Sequence, residues 1–149
     1  MHRVERAIIM AAGLGNRMYP VTLKTPKPLV KVNGVRMIDT VISGLHKNGI
    51  YEIYIVVGYL KEQFEQLMQE YPDVKLIENP YYDTCNNIAS LYVARDHIEN
   101  AIILDGDQIV YNPDILSAEF ERSGYNSVWT DNETDEWLQT VKDGIVTSC

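Results

Sequence analysis

The chain has 149 residues, 46% of them apolar and 23% charged, and carries a net charge of −8. These values suit one globular domain and exclude a membrane-spanning helix, because no apolar run approaches ~18 residues. The acidic balance has no basic stripe to set against it and argues against nucleic acid as a partner, so any polyanionic ligand needs local cations, oriented backbone N–H groups or a metal ion.

The amino terminus, Met1 to Arg6, is charged and leads into an apolar run too short and too strand-like for a signal peptide, so a cytoplasmic location is expected. Cys85 and Cys149 are the only cysteines and have no metal-type spacing. They are expected to be reduced and structurally minor.

Ala7 to Ala12 is continuously apolar, as in a strand buried on both faces of a parallel sheet. Gly13 to Arg17 reads as a loop, and Thr25-Pro26-Lys27-Pro28 as irregular chain, since each proline restricts itself and its predecessor. Leu29 to Val32 predicts a short strand ending at the turn dipeptide Asn33-Gly34. Met37, Ile38, Val41, Ile42 and Leu45 have helical spacing, predicting a helix over 36–48 with a stop at Asn48-Gly49. A second buried strand is expected over 53–57, closed by Gly58. Leu60, Phe64, Leu67 and Met68 mark a second helix, and residues 74–77 a third strand.

Further on, Ile88, Leu91, Tyr92 and Ala94 predict a helix over 86–98. Ala101 to Leu104 predicts a fourth core strand, running into Asp105-Gly106-Asp107. Pro113 suits the first turn of a helix over 113–122, and Ser127 to Thr130 and Leu138 to Val141 read as short strands. The alternation of strand and helix predicts an α/β fold: a Rossmann-like three-layer sandwich with a mainly parallel sheet. Gly144 to Cys149 begins like a strand and stops without a cap, so residues 1–149 are expected to be the amino-terminal part of a domain cut short.

The chemistry concentrates in Ala11-Ala12-Gly13-Leu14-Gly15-Asn16-Arg17-Met18, followed by Lys24-Thr25-Pro26-Lys27-Pro28-Leu29. Ligands of open α/β sheets sit beyond the carboxyl ends of the strands, where this loop begins. Glycines let backbone N–H groups converge on phosphate oxygens. Arg17 adds a forked cation and Lys27 a compact one. The Walker A pattern is absent, because no lysine follows a glycine in that frame. The dinucleotide fingerprint also fails, because Met18 stands where its third glycine belongs.

Gly13-Leu14-Gly15-Asn16-Arg17-Met18-Tyr19-Pro20 with Thr25-Pro26-Lys27-Pro28-Leu29 resembles the opening motif of the sugar-phosphate and phosphocholine nucleotidyltransferases. The resemblance covers nearly the whole chain. It implies that Ala12, Gly13, Gly15 and Asn16 line an NTP, that Arg17 contacts its β and γ phosphates and that Lys27 steadies the α-phosphate. Asp105-Gly106-Asp107 by itself reads either as a polar turn or as a metal carboxylate. The family places a Mg²⁺-binding aspartate in such a motif, which falls on Asp107, with Asp105 supporting it. Lys27, Arg17 and Asp107 then form the catalytic set, and no nucleophilic side chain is required. His46 and His97 are expected to be ordinary surface or boundary residues. The family usually supplies a second metal-binding aspartate from a strand beyond position 149, so these residues alone are expected to bind nucleotide weakly and turn over poorly.

The stretch Asn79 to Tyr92 lacks the Gly-Thr segment of the sugar-specific members and looks like the phosphocholine cytidylyltransferase branch, which has an Asn-Asn pair followed by Ser-Leu-Tyr. This favours CTP as nucleotide and phosphocholine as acceptor. Asn86 and Ser90 are placed on the nucleotide and Asn87 beside the acceptor, while Asn86 reads equally well as a helix N-cap. Asp135-Glu136-Trp137 also resembles that branch. Trp137 is assigned to the acceptor's quaternary ammonium by cation–π attraction, with Tyr82 or Trp129 as partner and Asp131 and Glu136 adding negative potential. A 2-aminoethylphosphonate or sugar-1-phosphate acceptor, and a non-catalytic nucleotide-binding domain, stay open as alternatives. Neither membrane nor nucleic acid is expected as a partner, and an exposed apolar edge of the shortened sheet leaves homo-oligomers open.

Overall fold

The computed structural model describes residues 1–130, 133 and 138–148. In chain order the elements are β1 (His2–Arg3), β2 (Arg6–Ala11), β3 (Lys31–Val32), β4 (Val35–Arg36), α1 (Met37–Lys47), β5 (Glu52–Val57), α2 (Glu65–Glu70), β6 (Val74–Glu78), α3 (Ile88–Val93), β7 (Ala101–Asp105), β8 (Glu119–Phe120), β9 (Thr140–Lys142) and β10 (Ile145–Ser148). Short 3₁₀ turns punctuate the loops, among them Asn16–Met18, Val21–Leu23 and Lys27–Leu29.

Four strands form one parallel sheet in the order β6-β5-β2-β7. The apolar runs of β2 and β5 are continuous because both faces of the sheet are covered. Ala7, Ile9 and Ala11 of β2 and Ile53, Ile55 and Val57 of β5 share one core with Ile38, Val41, Ile42 and Leu45 of α1 and with Phe64 and Leu67. The alternate residues, Ile8, Tyr54 and Val56, pack on the other face with Ala94 and Val93. The expected three-layer α/β sandwich with a parallel sheet is therefore what the chain forms. Among the described residues no helix is long and apolar enough to cross a membrane.

The turn dipeptides do what their composition dictates. Asn33 and Gly34 both have positive φ, 52° and 85°, and join β3 to β4. Asp143 and Gly144, at 52° and 73°, join β9 to β10 in the same way. This is the primed-turn geometry that matches strand twist.

Five expectations change. The second helix expected from Leu60 onward is α2 alone, preceded by a 3₁₀ turn at Lys61–Phe64 with Leu60 at φ 50°. The helix expected over 113–122 is only a 3₁₀ turn, Pro113–Ile115. The proline does open it, but buried Leu116 then packs against Gly44, where its Cδ1 lies 2.9 Å from the position of a Cβ. The chain goes on to pair Glu119–Phe120 with His2–Arg3. The helix expected over 86–98 is α3 alone, broken at Ala94 before a 3₁₀ turn at Arg95–His97. The strand expected at 29–32 is Lys31–Val32 alone, because Leu29 belongs to a 3₁₀ turn containing Pro28 and Val30 ends that turn. Ser127 to Thr130 joins no strand ladder among the described residues, although Ser127 Oγ donates to Gln139 Oε1 at 2.9 Å, and Trp129 is left 95% exposed.

Candidate functional site

β2 lies between β5 and β7, and the connections from β2 and into β7 run over opposite faces of the sheet. The crevice between the carboxyl ends of β2 and β7 is the topological switch point, where open α/β sheets bind ligands. The glycine loop leaves β2 there, and Asp105-Gly106-Asp107 leaves β7 beside it. Gly106 N–H donates to the Met10 carbonyl at 2.9 Å and so continues the pairing of β2 with β7. A Cβ at Gly106 would meet Ile9 Cγ2 at 3.1 Å, so the absence of a side chain lets this turn lie flat against β2.

The two segments meet directly. Lys27 Nζ donates to Asp107 Oδ2 at 2.6 Å, although 80 residues separate them. Both side chains are partly exposed, at 27% and 35%. Burial pushes the Asp105 carboxyl above its ordinary value. The Asp107 carboxylate adds to that rise, and the Lys27 ammonium opposes it.

Around this pair lies a cleft of about 370 Å³. Its walls include Ala12, Gly13, Gly15, Asn16, Arg17 and Lys27 from one side, Asp105 and Asp107 from β7, and Tyr82, Asn87 and Ser90 from the chain leading into and through α3. Among the described residues placed on the nucleotide or acceptor from sequence, all but Asn86 and Trp129 line this cleft. Gly13 has nothing within 4 Å of where a Cβ would be, so its backbone opens onto the cleft. Gly15 is held in the left-handed region at φ 67°, with Thr22 Cγ2 2.9 Å from a would-be Cβ, and only glycine fits there without strain.

Asn86 Oδ1 accepts from Ile88 N–H at 3.2 Å at the start of α3, and Asn86 is not part of the cleft wall. Asn87 faces the cleft instead. Tyr82 packs against Gly58, where a Cβ would come within 2.6 Å of the tyrosine's own Cβ. Trp137, with Asp131 and Glu136, lies outside the described residues. His46 pairs with Asp73 at 2.7 Å and His97 stacks on Tyr54 at 3.9 Å, both away from the cleft.

One contributor is not signalled by residue type. Asn79, 1% exposed at the end of β6, donates from Nδ2 to Ser90 Oγ at 3.2 Å and accepts from Tyr81 N–H at 2.9 Å. It fixes the cleft-facing serine from behind. A polar residue before Pro80 reads from sequence as a turn former only.

Glycine loop, paired lysine and aspartate, and a parallel sheet that turns about its first strand define an α/β domain with a polar cleft at its switch point. Residues 7–144 match the MobA-like NTP transferase domain, and the chain belongs to that family. The 2-aminoethylphosphonate cytidylyltransferase of Lancefieldella rimae is 45% identical over 139 residues, which are 92% of this chain and 56% of that protein. The choline-phosphate cytidylyltransferase of Streptococcus pneumoniae is 41% identical over 138 residues, 93% of this chain and 59% of that protein. A solved structure of CTP:phosphocholine cytidylyltransferase from Streptococcus pneumoniae superimposes with a TM-score of 0.86 at 40% identity, covering 98% of this chain and 65% of that one. The chain thus spans between 56% and 59% of the length of the two curated relatives.

Proposed function

We propose that this domain binds CTP and serves a cytidylyltransferase reaction, in which CMP passes to a small acceptor that carries a phosphoryl group and an ammonium head. The observation that carries the reading is the Lys27–Asp107 contact of 2.6 Å, which brings the phosphate-loop cation and a carboxylate to one rim of the sheet. The acceptor oxygen attacks the α-phosphorus in line, the bond to the β-phosphate oxygen breaks, and pyrophosphate leaves. Catalysis of this kind needs positioning and charge neutralisation rather than a nucleophilic side chain. The N–H groups of the Gly13–Asn16 loop and the Arg17 guanidinium hold the β and γ phosphates. Lys27 leaves Asp107 for the α-phosphate and stabilises the charge that builds there.

The donor set fits Mg²⁺. Among the described residues no three His, Cys, Asp or Glu side chains converge into an all-protein metal cage. Asp107, backed by Asp105, offers hard oxygens beside the phosphate-facing loop, which is how Mg²⁺ is held when substrate phosphates complete its shell. When bound, Mg²⁺ neutralises the triphosphate and eases departure of pyrophosphate.

Phosphocholine is the first acceptor reading. It is supported by the Streptococcus pneumoniae relative and by the fit of the solved structure at a TM-score of 0.86. A 2-aminoethylphosphonate acceptor is favoured by a separate observation, the 45% identity to the Lancefieldella rimae relative. Both acceptors present an ammonium two carbons from the phosphorus-bearing end and differ in methylation and in the phosphorus linkage. Tyr82 and Asn87 line the acceptor side of the cleft.

Calorimetry of the chain with CTP, UTP and ATP, each with Mg²⁺, tests the nucleotide assignment, with heat expected from CTP above the others. A pyrophosphate-release assay with CTP and each acceptor in turn separates the two acceptor readings. Absence of binding by all three nucleotides would overturn the assignment.

A further inference from the structure

Between the end of β2 and Lys27 the chain has no strand and no helix longer than three residues. Its short turns pair some backbone groups within the segment, such as Met18 N–H with the Gly15 carbonyl, and the others need partners from outside it. Much of that pairing comes from one neighbouring turn. β5 ends beside β2, with Val57 opposite Ala11. The chain then turns through Gly58, Tyr59 and Leu60, with Leu60 at φ 50°. Tyr59 N–H donates to the Ala12 carbonyl at 3.2 Å. The Tyr59 hydroxyl donates to the Thr22 carbonyl at 2.9 Å and lies 3.3 Å from that of Leu23. One turn on, Gln63 Nε2 donates to the Lys24 carbonyl at 2.8 Å.

Thr22 completes the inner side. It is 2% exposed, and its Oγ1 donates to the Gly15 carbonyl at 2.9 Å. Tyr59, Gln63 and Thr22 are not part of the cleft wall. Of the carbonyls they bond, those of Ala12 and Gly15 belong to wall residues, while those of Thr22 and Lys24 lie on the arm that leads to Lys27, so both arms of the loop are held.

We propose that Tyr59 and Gln63 are positioning residues for the nucleotide cleft, which with Thr22 fix the glycine loop and the approach to Lys27 before a ligand arrives. The proposal rests on the reading that the cleft takes a nucleoside triphosphate. A loop already ordered loses less freedom when its N–H groups engage phosphate, and that difference appears as affinity. The Tyr59 hydroxyl is the sensitive atom, because the ring keeps its place without it while the Thr22 carbonyl loses its donor.

The test compares Tyr59→Phe, Gln63→Met and the double variant with Tyr71→Phe. The last removes a hydroxyl that donates to Asp39 at 3.0 Å, away from the cleft. Hydrogen exchange on the whole chain without ligand is expected to speed up at the Met18 and Tyr19 amides in Tyr59→Phe and not in Tyr71→Phe. The amides of β2 and β5 should be unchanged in both. CTP titrated with Mg²⁺ is expected to bind roughly three- to tenfold more weakly to Tyr59→Phe, the worth of one hydrogen bond, and more weakly again to the double variant. Unchanged loop exchange in Tyr59→Phe, or equal losses in Tyr59→Phe and Tyr71→Phe, would overturn the proposal. If the unaltered chain takes no CTP, the reading of the cleft fails, and the exchange comparison still decides whether the turn orders the loop.

Discussion

Replacing Lys27 with methionine keeps most of the apolar stem and removes the ammonium that sits 2.6 Å from Asp107. Two opposed effects follow, and they separate by size. With 27% and 35% of the two side chains exposed, the pair is closer to a surface ion pair than to a buried one. Its loss costs about 1 kcal/mol or less, a fall in Tm of about 2–4 °C for a chain of this size. The loss against nucleotide is larger. A charge-assisted hydrogen bond to a phosphate oxygen contributes about 1.5–3 kcal/mol, so CTP is expected to bind roughly ten- to 150-fold more weakly. Metal alone should behave in the opposite way, because Asp107 no longer faces a competing cation, and Mn²⁺ without nucleotide is expected to bind the variant at least as tightly as the parent. Calorimetry with CTP and with Mn²⁺, beside a melting curve, reads all three. A CTP affinity within about threefold of the parent would refute the assignment of Lys27 to the α-phosphate, and a Tm fall beyond about 10 °C would make the pair a structural strut instead.

Asp107→Asn keeps the shape of the side chain and removes its charge. CTP affinity measured with Mg²⁺ is expected to drop to the level measured with chelator, and a Mg²⁺ dependence that survives would sink the metal assignment. Asp105→Asn tests the pH linkage. The Asp105 carboxyl is raised in the folded state, chiefly by burial, so its ionisation opposes folding once the pH passes its unfolded value. The Tm of the variant relative to the parent should therefore climb as pH rises from about 3 to 6, and a flat difference would remove the argument. Gly58→Ala places a methyl within 2.6 Å of Tyr82 Cβ. The overpacking costs about 1–3 kcal/mol. The displaced tyrosine should raise KM for the acceptor more than KM for CTP, and equal changes in the two would argue against Tyr82 on the acceptor side.

The legible parts of the molecule are those where a local rule and the tertiary fold agree. Ala7 to Ala12 and Ile53 to Val57 are apolar at every position, which only a doubly covered strand tolerates, and both lie at the middle of the sheet. Gly15 and Gly34 stand where positive φ is required. The glycine loop and Asp107 could be placed on one rim because both follow apolar strands expected to be parallel. Legibility fails where a distant partner decides. Leu116 leaves a helical path because Gly44 offers space beneath it, and Glu119–Phe120 extends because His2–Arg3 lies alongside. The hydrogen bond of Asn86 to Ile88 N–H and the cleft-lining position of Asn87 are one residue apart, finer than composition resolves. Tyr59 and Gln63 bond to backbone carbonyls 36 to 39 residues away, and no pattern of residue types marks such contacts.

The strand order carries a consequence for assembly. β2 is the first strand of the sheet to be synthesised and β7 the last, yet they are neighbours. The rim that joins Lys27 to Asp107 closes only when the chain has returned across the whole sheet, so every earlier intermediate lacks one half of the ligand's contacts. On the proposed function, nucleotide is expected to bind the finished arrangement alone and to draw the equilibrium toward it by mass action. Protection by CTP against heat or protease is thus expected to be concentrated on the docking of β7, which makes ligand-dependent protease resistance a gauge of whether that last strand is home.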